Sequence, residues 1–140
     1  MSSVAPGTSR PLPRLTPDNV AFWTGGERNE LLIYRCAKCA EWFHPPAPIC
    51  PVCLNRDVGP QPIPRTAALL SHTINHQRWH PALLVPYVVA VGSLEAAPHV
   101  HLMAELLDCP ASRIRTGMPL QITFLHEADV WIPQFRTADS

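Results

Sequence analysis

Two short stretches decide how this chain is read: Cys36-Ala37-Lys38-Cys39 and Cys50-Pro51-Val52-Cys53, with ten residues between them. Each sets two thiols on one tight turn, and two such turns brought together supply the tetrahedron of thiolates that Zn²⁺ prefers. The alternatives for the same four residues are a pair of disulfides, which reducing conditions disfavour, and a redox CxxC, expected singly beside a βαβ pattern. Iron in a rubredoxin-like site is a further alternative. The reading adopted is a structural Zn²⁺ held by Cys36, Cys39, Cys50 and Cys53. Four thiolates close the coordination sphere and leave no position for water or substrate. Ala40 and Leu54 depart from an ideal ribbon: they follow the knuckles where Gly is common because a left-handed backbone is convenient, so the turns are expected to be either slightly strained or differently shaped.

Outward toward the N-terminus, Thr16-Pro17-Asp18-Asn19 reads as a helix start, with Thr16 as N-cap and Pro17 at the first helical position. Val20, Phe22 and Trp23 follow, and Gly25-Gly26 reads as the stop. The expectation is one short helix over 17–24, too short to stand alone, whose aromatic pair must dock on something. That something is either the chain's own ribbon or barrel, or a partner, since aromatic anchors dominate interface energetics. Residues 1–15, rich in Pro, Ser and small residues, read as a mobile arm.

Outward toward the C-terminus, apolar runs at 67–76, 86–94, 99–107, 118–126 and 130–135 alternate with turn signals. Pro110-Ala111-Ser112-Arg113-Ile114, closed by Gly117, reads as one helical turn between the third run and the fourth. Five short strands with a helical interruption after the third is the pattern of a small closed barrel of the OB type, although a meander or a sandwich edge would look similar. The fold expected is mainly β: an arm and short helix over 1–29, a zinc ribbon over 30–62 and a five-stranded barrel over 63–140.

Composition bounds the function. The chain has 140 residues and a formal net charge of zero, from 11 Lys+Arg against 11 Asp+Glu. That argues against a nucleic-acid binder acting through bulk electrostatics. Arg78, Arg113, Arg115 and Arg136 are few for a basic groove on the barrel. No apolar run reaches the roughly 18–20 residues of a membrane span, and the first fifteen residues lack the apolar core of a secretory signal. The protein is therefore expected in the cytoplasm. Its 17 prolines, against a usual frequency of roughly 5%, exclude long helices. Cys109 reads as a buried, inert thiol. His72, His76, His80, His99 and His101 read as polar-face residues, since no carboxylate or serine falls into an obvious triad with them.

Taken together, several motifs carry a family resemblance. They are Phe22-Trp23, Leu31-Leu32-x-x-Arg35-Cys36-x-x-Cys39, Phe43-x-Pro45-Pro46, Cys50-Pro51-x-Cys53, Ser71-x-Thr73, Pro86-Tyr87-Val88-Val89-Ala90, Gly117-Met118 and Pro133-x-Phe135-Arg136. Over roughly 18–136 the chain resembles a bacterial and archaeal family of small proteins that join a rubredoxin-like zinc ribbon to an OB-fold domain. Its members associate with thiolases and with thiolase-like aldolases of steroid side-chain degradation. The resemblance implies a non-catalytic accessory subunit of a thiolase-fold enzyme acting on acyl-CoA thioesters. It implies docking through the helix and ribbon, and a barrel that can contact acyl-CoA. Phe22 and Trp23 of the helix are the candidate contacts, and symmetry of two equivalent partner surfaces leads us to expect a homodimeric partner carrying two copies of this chain. Arg78, Arg113 and Arg115 are the residues that could meet CoA phosphates. The competing readings are a single-stranded nucleic-acid binder and a free-standing acyl-CoA-binding protein.

Overall fold

The computed structural model describes residues 10–138. The element order is helix α1 (Val20–Thr24), then β1 (Leu31–Cys36), β2 (Trp42–Phe43), β3 (Val58–Ile63), β4 (Thr66–Asn75), β5 (Tyr87–Leu94), β6 (Ala97–Leu106), β7 (Pro119–Glu127) and β8 (Val130–Thr137). The first three strands form an antiparallel sheet with β1 in the middle, and the last five close a barrel in the order β4-β5-β6-β8-β7. Closure comes from β7 returning to β4, at Ala67 opposite Leu120, and from a parallel contact of β6 with β8 at Leu106 and Phe135. A 3₁₀ turn at Ala111–Arg113 separates β6 from β7. This is the five-stranded OB barrel expected from the spacing of the apolar runs, with the helical interruption in its expected place.

Inside the barrel, the Phe135 ring is fully buried and spans the interior toward β5. It can do so because its neighbour there is Gly92: a Cβ on Gly92 would lie 2.8 Å from the ring. Ala67, Leu69, Leu94, Leu120 and Ile122 complete this interior. The same apolar cluster continues outside the barrel to Phe22 of α1, Leu31 and Ile33 of β1, and Ile63 of β3. The ribbon root, the helix and the barrel therefore share one core.

The helix differs from its expected limits. Its regular part begins at Val20, after a hydrogen-bonded turn in which the Thr16 hydroxyl accepts from the Asn19 N–H and the Val20 N–H reaches the Thr16 carbonyl. Gly25-Gly26 does not end the helical path, which tightens into a 3₁₀ turn over Gly25–Arg28 and stops at Asn29 with φ 61°. Close approach explains the glycine at 26, where a Cβ would stand 2.5 Å from Trp131 Cβ and 2.7 Å from the Phe124 ring. The helix end thus lies directly on β7 and β8.

The expected mobile arm needs correction over 10–15. Arg10 pairs with Glu105 of β6 at 3.6 Å, with side chains only 11% and 15% exposed. Pro11 and Pro13 lie beside Trp23, Leu83 and Ile132. This stretch is laid on the barrel; residues 1–9 of the expected arm lie outside the described residues.

Gly92→Ala should test the barrel packing. Its Cβ would overlap the end of a ring that has no room to move, so we expect a loss of about 1–3 kcal/mol and a lowered thermal midpoint by circular dichroism. Gly59→Ala, whose Cβ meets nothing within 4 Å, should leave the midpoint nearly unchanged.

Candidate metal centre and the surfaces around it

The two knuckles converge. Cys36 leaves the end of β1, Cys39 follows on the turn, and Cys50 and Cys53 sit on the second turn before β3. The four sulfurs all lie within 4.8 Å of one another, with Cys36 to Cys53 and Cys39 to Cys50 each at 3.6 Å. A zinc–sulfur bond of about 2.3 Å gives a tetrahedral edge of roughly 3.8 Å, so the cage has the right size for the ion. The turns also aim main-chain donors at the sulfurs. Cys39 N–H donates to Cys36 Sγ at 3.4 Å, and Val52 and Cys53 N–H donate to Cys50 Sγ at 3.4 and 3.5 Å.

These donors have an electrostatic consequence. The N–H groups of Cys39 and Lys38 hold Cys36 down to about 7. Those of Cys53 and Val52 lower Cys50. Cys39 goes the other way, to about 12: it accepts the Glu41 N–H, which favours the thiolate, but burial and the sulfurs of Cys50, Cys36 and Cys53 more than offset it. Four adjacent sulfurs cannot all ionise by themselves, and a dication at their centre is what lets them do so. The structural zinc expected from the sequence fits this donor set.

Of the two outcomes left open for the non-glycine residues after the knuckles, the backbone takes the strained one: the turns keep the left-handed shape, with Ala40 at φ 64° and Leu54 at φ 65°. Their N–H groups close the turns onto the carbonyls of Cys36 and Cys50, at 2.9 and 3.0 Å. Around the sulfurs the apolar support is thin, consisting of Phe43 with Tyr34, Ala47 and Val58. Outside the second knuckle, Val52 and Leu54 are 63% and 73% exposed.

The aromatic pair of α1 separates into two roles. Phe22 is buried in this chain's own core, with its ring 4.8 Å from the half-buried His44 ring and 4.9 Å, edge to face, from Trp23. It braces helix against ribbon and barrel, the first of the two roles open to the pair. Trp23 is only half-buried. His44, not singled out from the sequence, is pushed below the ordinary histidine range by burial and stays neutral against Phe22.

The remaining histidines do not gather. Among the described residues, the group that converges closely enough for a metal is the four cysteines. His72, His76 and His101 are exposed. His99 does something the sequence did not indicate: its Nε2 lies 2.7 Å from the Trp42 carbonyl and 2.9 Å from Glu41 Oε1, tying β6 to β2 of the ribbon. No periodicity in the sequence announces a contact across 57 positions. Cys109 Sγ points to the Pro110 carbonyl and Ser93 Oγ donates to the Pro98 carbonyl; both bonds go to main chain, not to a histidine or a carboxylate.

Of the arginines, Arg113 and Arg115 line one cleft of about 530 Å³ with Cys109 and Met118. It adjoins a more apolar cleft lined by Leu84, Tyr87 and Leu106. Arg78 stands apart in the β4–β5 loop, bonded to the Pro81 carbonyl, and Arg136 pairs with Asp108.

Comparison with known proteins agrees with this anatomy. Residues 23–59 match the family described as "ChsH2, rubredoxin-like zinc ribbon domain", and residues 60–125 match "ChsH2, C-terminal OB-fold domain". A solved structure titled "Ltp2-ChsH2(DUF35) aldolase" superposes with a TM-score of 0.83 at 31% identity, over 91% of this chain and 100% of that one. The chain belongs to the ChsH2 family. Among curated relatives, a "Probable enoyl-CoA hydratase alpha subunit" of Thermomonospora curvata is 32% identical over 134 residues, which is 95% of this chain and 41% of the relative. A "3-oxo-4,17-pregnadiene-20-carboxyl-CoA hydratase alpha subunit" of Mycobacterium tuberculosis is 29% identical over 119 residues, 84% of this chain and 37% of the relative. The chain therefore spans about two-fifths of the length of these curated relatives. A DUF35-family protein of Sulfolobus solfataricus, of unknown function, shares the fold at 17% identity with a TM-score of 0.59, over 86% of this chain and 85% of that one.

Zinc uptake should release protons, because the Cys39 thiol, raised to about 12, is protonated at neutral pH and must ionise to ligate. Affinity should therefore rise from pH 6 to pH 8. Calorimetry in buffers of different ionisation enthalpy should count at least about one proton released per zinc at pH 7. Cys39→Ser should loosen the knuckle end in hydrogen exchange, while the β1–β3 root, six paired positions long and joined to the barrel core, stays protected.

Proposed function

We propose that this chain is a non-catalytic accessory subunit, working in the cytoplasm, of a thiolase-fold enzyme that acts on acyl-CoA thioesters, and that it docks on that enzyme through the zinc ribbon. The observation that carries the reading is the second knuckle. A closed thiolate cage has no chemistry to offer a substrate, yet it holds Val52 and Leu54 out in solvent. Leu54 does so with a left-handed backbone that costs a branched side chain roughly 1–2 kcal/mol. Apolar side chains displayed on a rigid, metal-pinned turn suit a protein interface. The relatives support the setting: the solved neighbour's title joins a ChsH2 domain to a second protein in an aldolase, and the curated relatives are named as subunits for CoA thioesters.

With Phe22 buried, the knuckle becomes the anchor and Trp23 a lesser contact at most. The cleft holding Arg113 and Arg115, continuing into the apolar cleft beside it, is the part of the barrel suited to a CoA phosphate and its chain. The partner is expected to be a homodimer, so that two equivalent surfaces take two copies of this chain. A hydratase subunit is the second reading and rests on the names of the curated relatives. The isolated chain is expected to show no hydratase, thiolase or aldolase turnover, and a rate comparable with that of a complex would favour the second reading.

Leu54→Gly separates docking from folding. Removing the left-handed strain should leave the thermal midpoint unchanged or raise it slightly. Removing an anchor side chain should weaken co-purification with a thiolase-fold subunit from the same genome by about tenfold or more. Light scattering of the wild-type complex should read two copies of each chain. An unweakened complex would move the interface off the ribbon.

A further inference from the structure

Strand β4 is ten residues long, yet β7 pairs with it only over Thr66–Ala68. The last bonds on that side belong to Leu69: its N–H donates to the Met118 carbonyl at 3.0 Å, and its carbonyl accepts the Gly117 N–H at 2.7 Å. Past a bulge between Leu69 and Ser71, β4 runs on with β5 alone. From Leu70 to Ile74 its other edge is bare. The main-chain groups of a strand point alternately to its two sides. Among the described residues, those of 70–74 that point away from β5 have no hydrogen-bond partner. Nothing covers them either: Leu70 is 41% exposed, and Ser71, His72 and Thr73 are exposed.

A bare edge is a template for a further strand, and proteins usually blunt one with Pro or charge. The outer strand of the ribbon sheet, β3, is blunted by Pro60 and Pro62, which have no N–H to give. Strand β4 carries no such device. Thr66–Asn75 holds no Pro, Lys, Arg, Asp or Glu.

The surroundings narrow what can pair there. At the far end of the edge stands Trp79, 73% exposed, its indole N–H held by Asn75 Oδ1 at 3.0 Å. Arg78 beside it forms no ion pair among the described residues. No Asp or Glu occurs anywhere from 58 to 94. At the near end, Arg115 lies on the turn that leads to Gly117 and Met118 and so to Leu69. A second copy of this chain suits such an edge poorly. Antiparallel pairing of two copies sets Arg78 of each toward Arg115 of the other, and parallel pairing sets Arg78 toward Arg78. Carboxylates suit it well.

We propose that the edge of β4 from Leu70 to Ile74 takes an extended acidic segment of a partner protein as an added strand. Main-chain hydrogen bonds hold the segment, its apolar residues meet Leu70 and Trp79, and a carboxylate meets Arg78. The inference stands apart from docking through the knuckle, because the edge belongs to the barrel and the test needs no thiolase-fold subunit.

The test uses the full zinc-loaded chain, labelled with ¹⁵N, and a blocked peptide, acetyl-Asp-Glu-Thr-Val-Thr-Val-Thr-Glu-Asp-amide. The peptide should shift the main-chain signals of 70–74 and the Trp79 indole signal saturably. It should also slow hydrogen exchange within 70–74 by about tenfold at saturation. The same peptide with Lys in place of each Asp and Glu should bind at least about threefold more weakly, and so should the acidic peptide on Arg78→Glu, a change at an exposed side chain. The acidic peptide with all its central amides N-methylated should not bind, since it has no donors for either edge. The proposal is overturned by signals of 70–74 that do not move saturably, by equal affinity for the acidic and Lys peptides, by undiminished binding to Arg78→Glu, or by undiminished binding of the N-methylated peptide. It is equally overturned by protection of 70–74 that grows with protein concentration when no peptide is present, which would assign the edge to a second copy.

Discussion

A ribbon of about thirty residues cannot bury enough apolar surface to hold itself together, and the whole arrangement follows from how this one is held at its two ends. At the far end, four sulfurs and an ion take the place of a core. Structural zinc in small ribbons contributes about 10–16 kcal/mol at neutral pH, far more than the few side chains around Phe43 can supply. At the near end, Leu31, Ile33 and Ile63 enter the apolar cluster of the barrel, and Phe22 joins from the helix. The long β1–β3 ladder connects the two ends. The metal fixes the tip and the barrel fixes the root. His99, bonded to Glu41 and Trp42, adds a polar tie midway.

The barrel was legible because its strands obey a period of two between turn signals, and each expected run falls within two residues of an observed strand at either end. The knuckles were legible because metal chemistry requires a residue type at a spacing. The shape of the turns after them was not: without glycine at 40 and 54 the sequence leaves strained and reshaped turns equally open, and only the structure shows Ala40 and Leu54 held left-handed by their bonds to the Cys36 and Cys50 carbonyls. For barrel and knuckles alike the signal is local.

What the sequence hid is non-local. Gly25-Gly26 looks like a stop by composition, and local rules say nothing of Trp131 and Phe124, which demand the glycine at 26 from more than ninety residues away. The fate of Phe22 depended on whether the barrel offers it a socket, and helix periodicity is silent on that. Composition places Arg10 in a mobile arm, while its partner Glu105 lies far along the chain on β6. Gln134 sits in an apolar strand, where alternation makes it one more outward residue until the helix covers it.

These hidden contacts share a location, the outer face of the barrel along β6 and β8. Arg10, Trp23 and Glu105 all gather there, with Gln134 beneath them. Only one ladder position, Leu106 opposite Phe135, joins β6 to β8. Strands joined so briefly leave a seam, and the helix and the segment before it close the seam from outside. A seam covered by a five-residue helix is the part of a closed barrel where a cavity costs least, because few ladder bonds need to be broken to make room for it. The ribbon, fixed by metal at its tip, and the seam, joined by one ladder position and covered by side chains, are thus held by different means. The exposed apolar residues of the second knuckle belong to the ribbon, and Arg10, Trp23 and Glu105 to the cover of the seam.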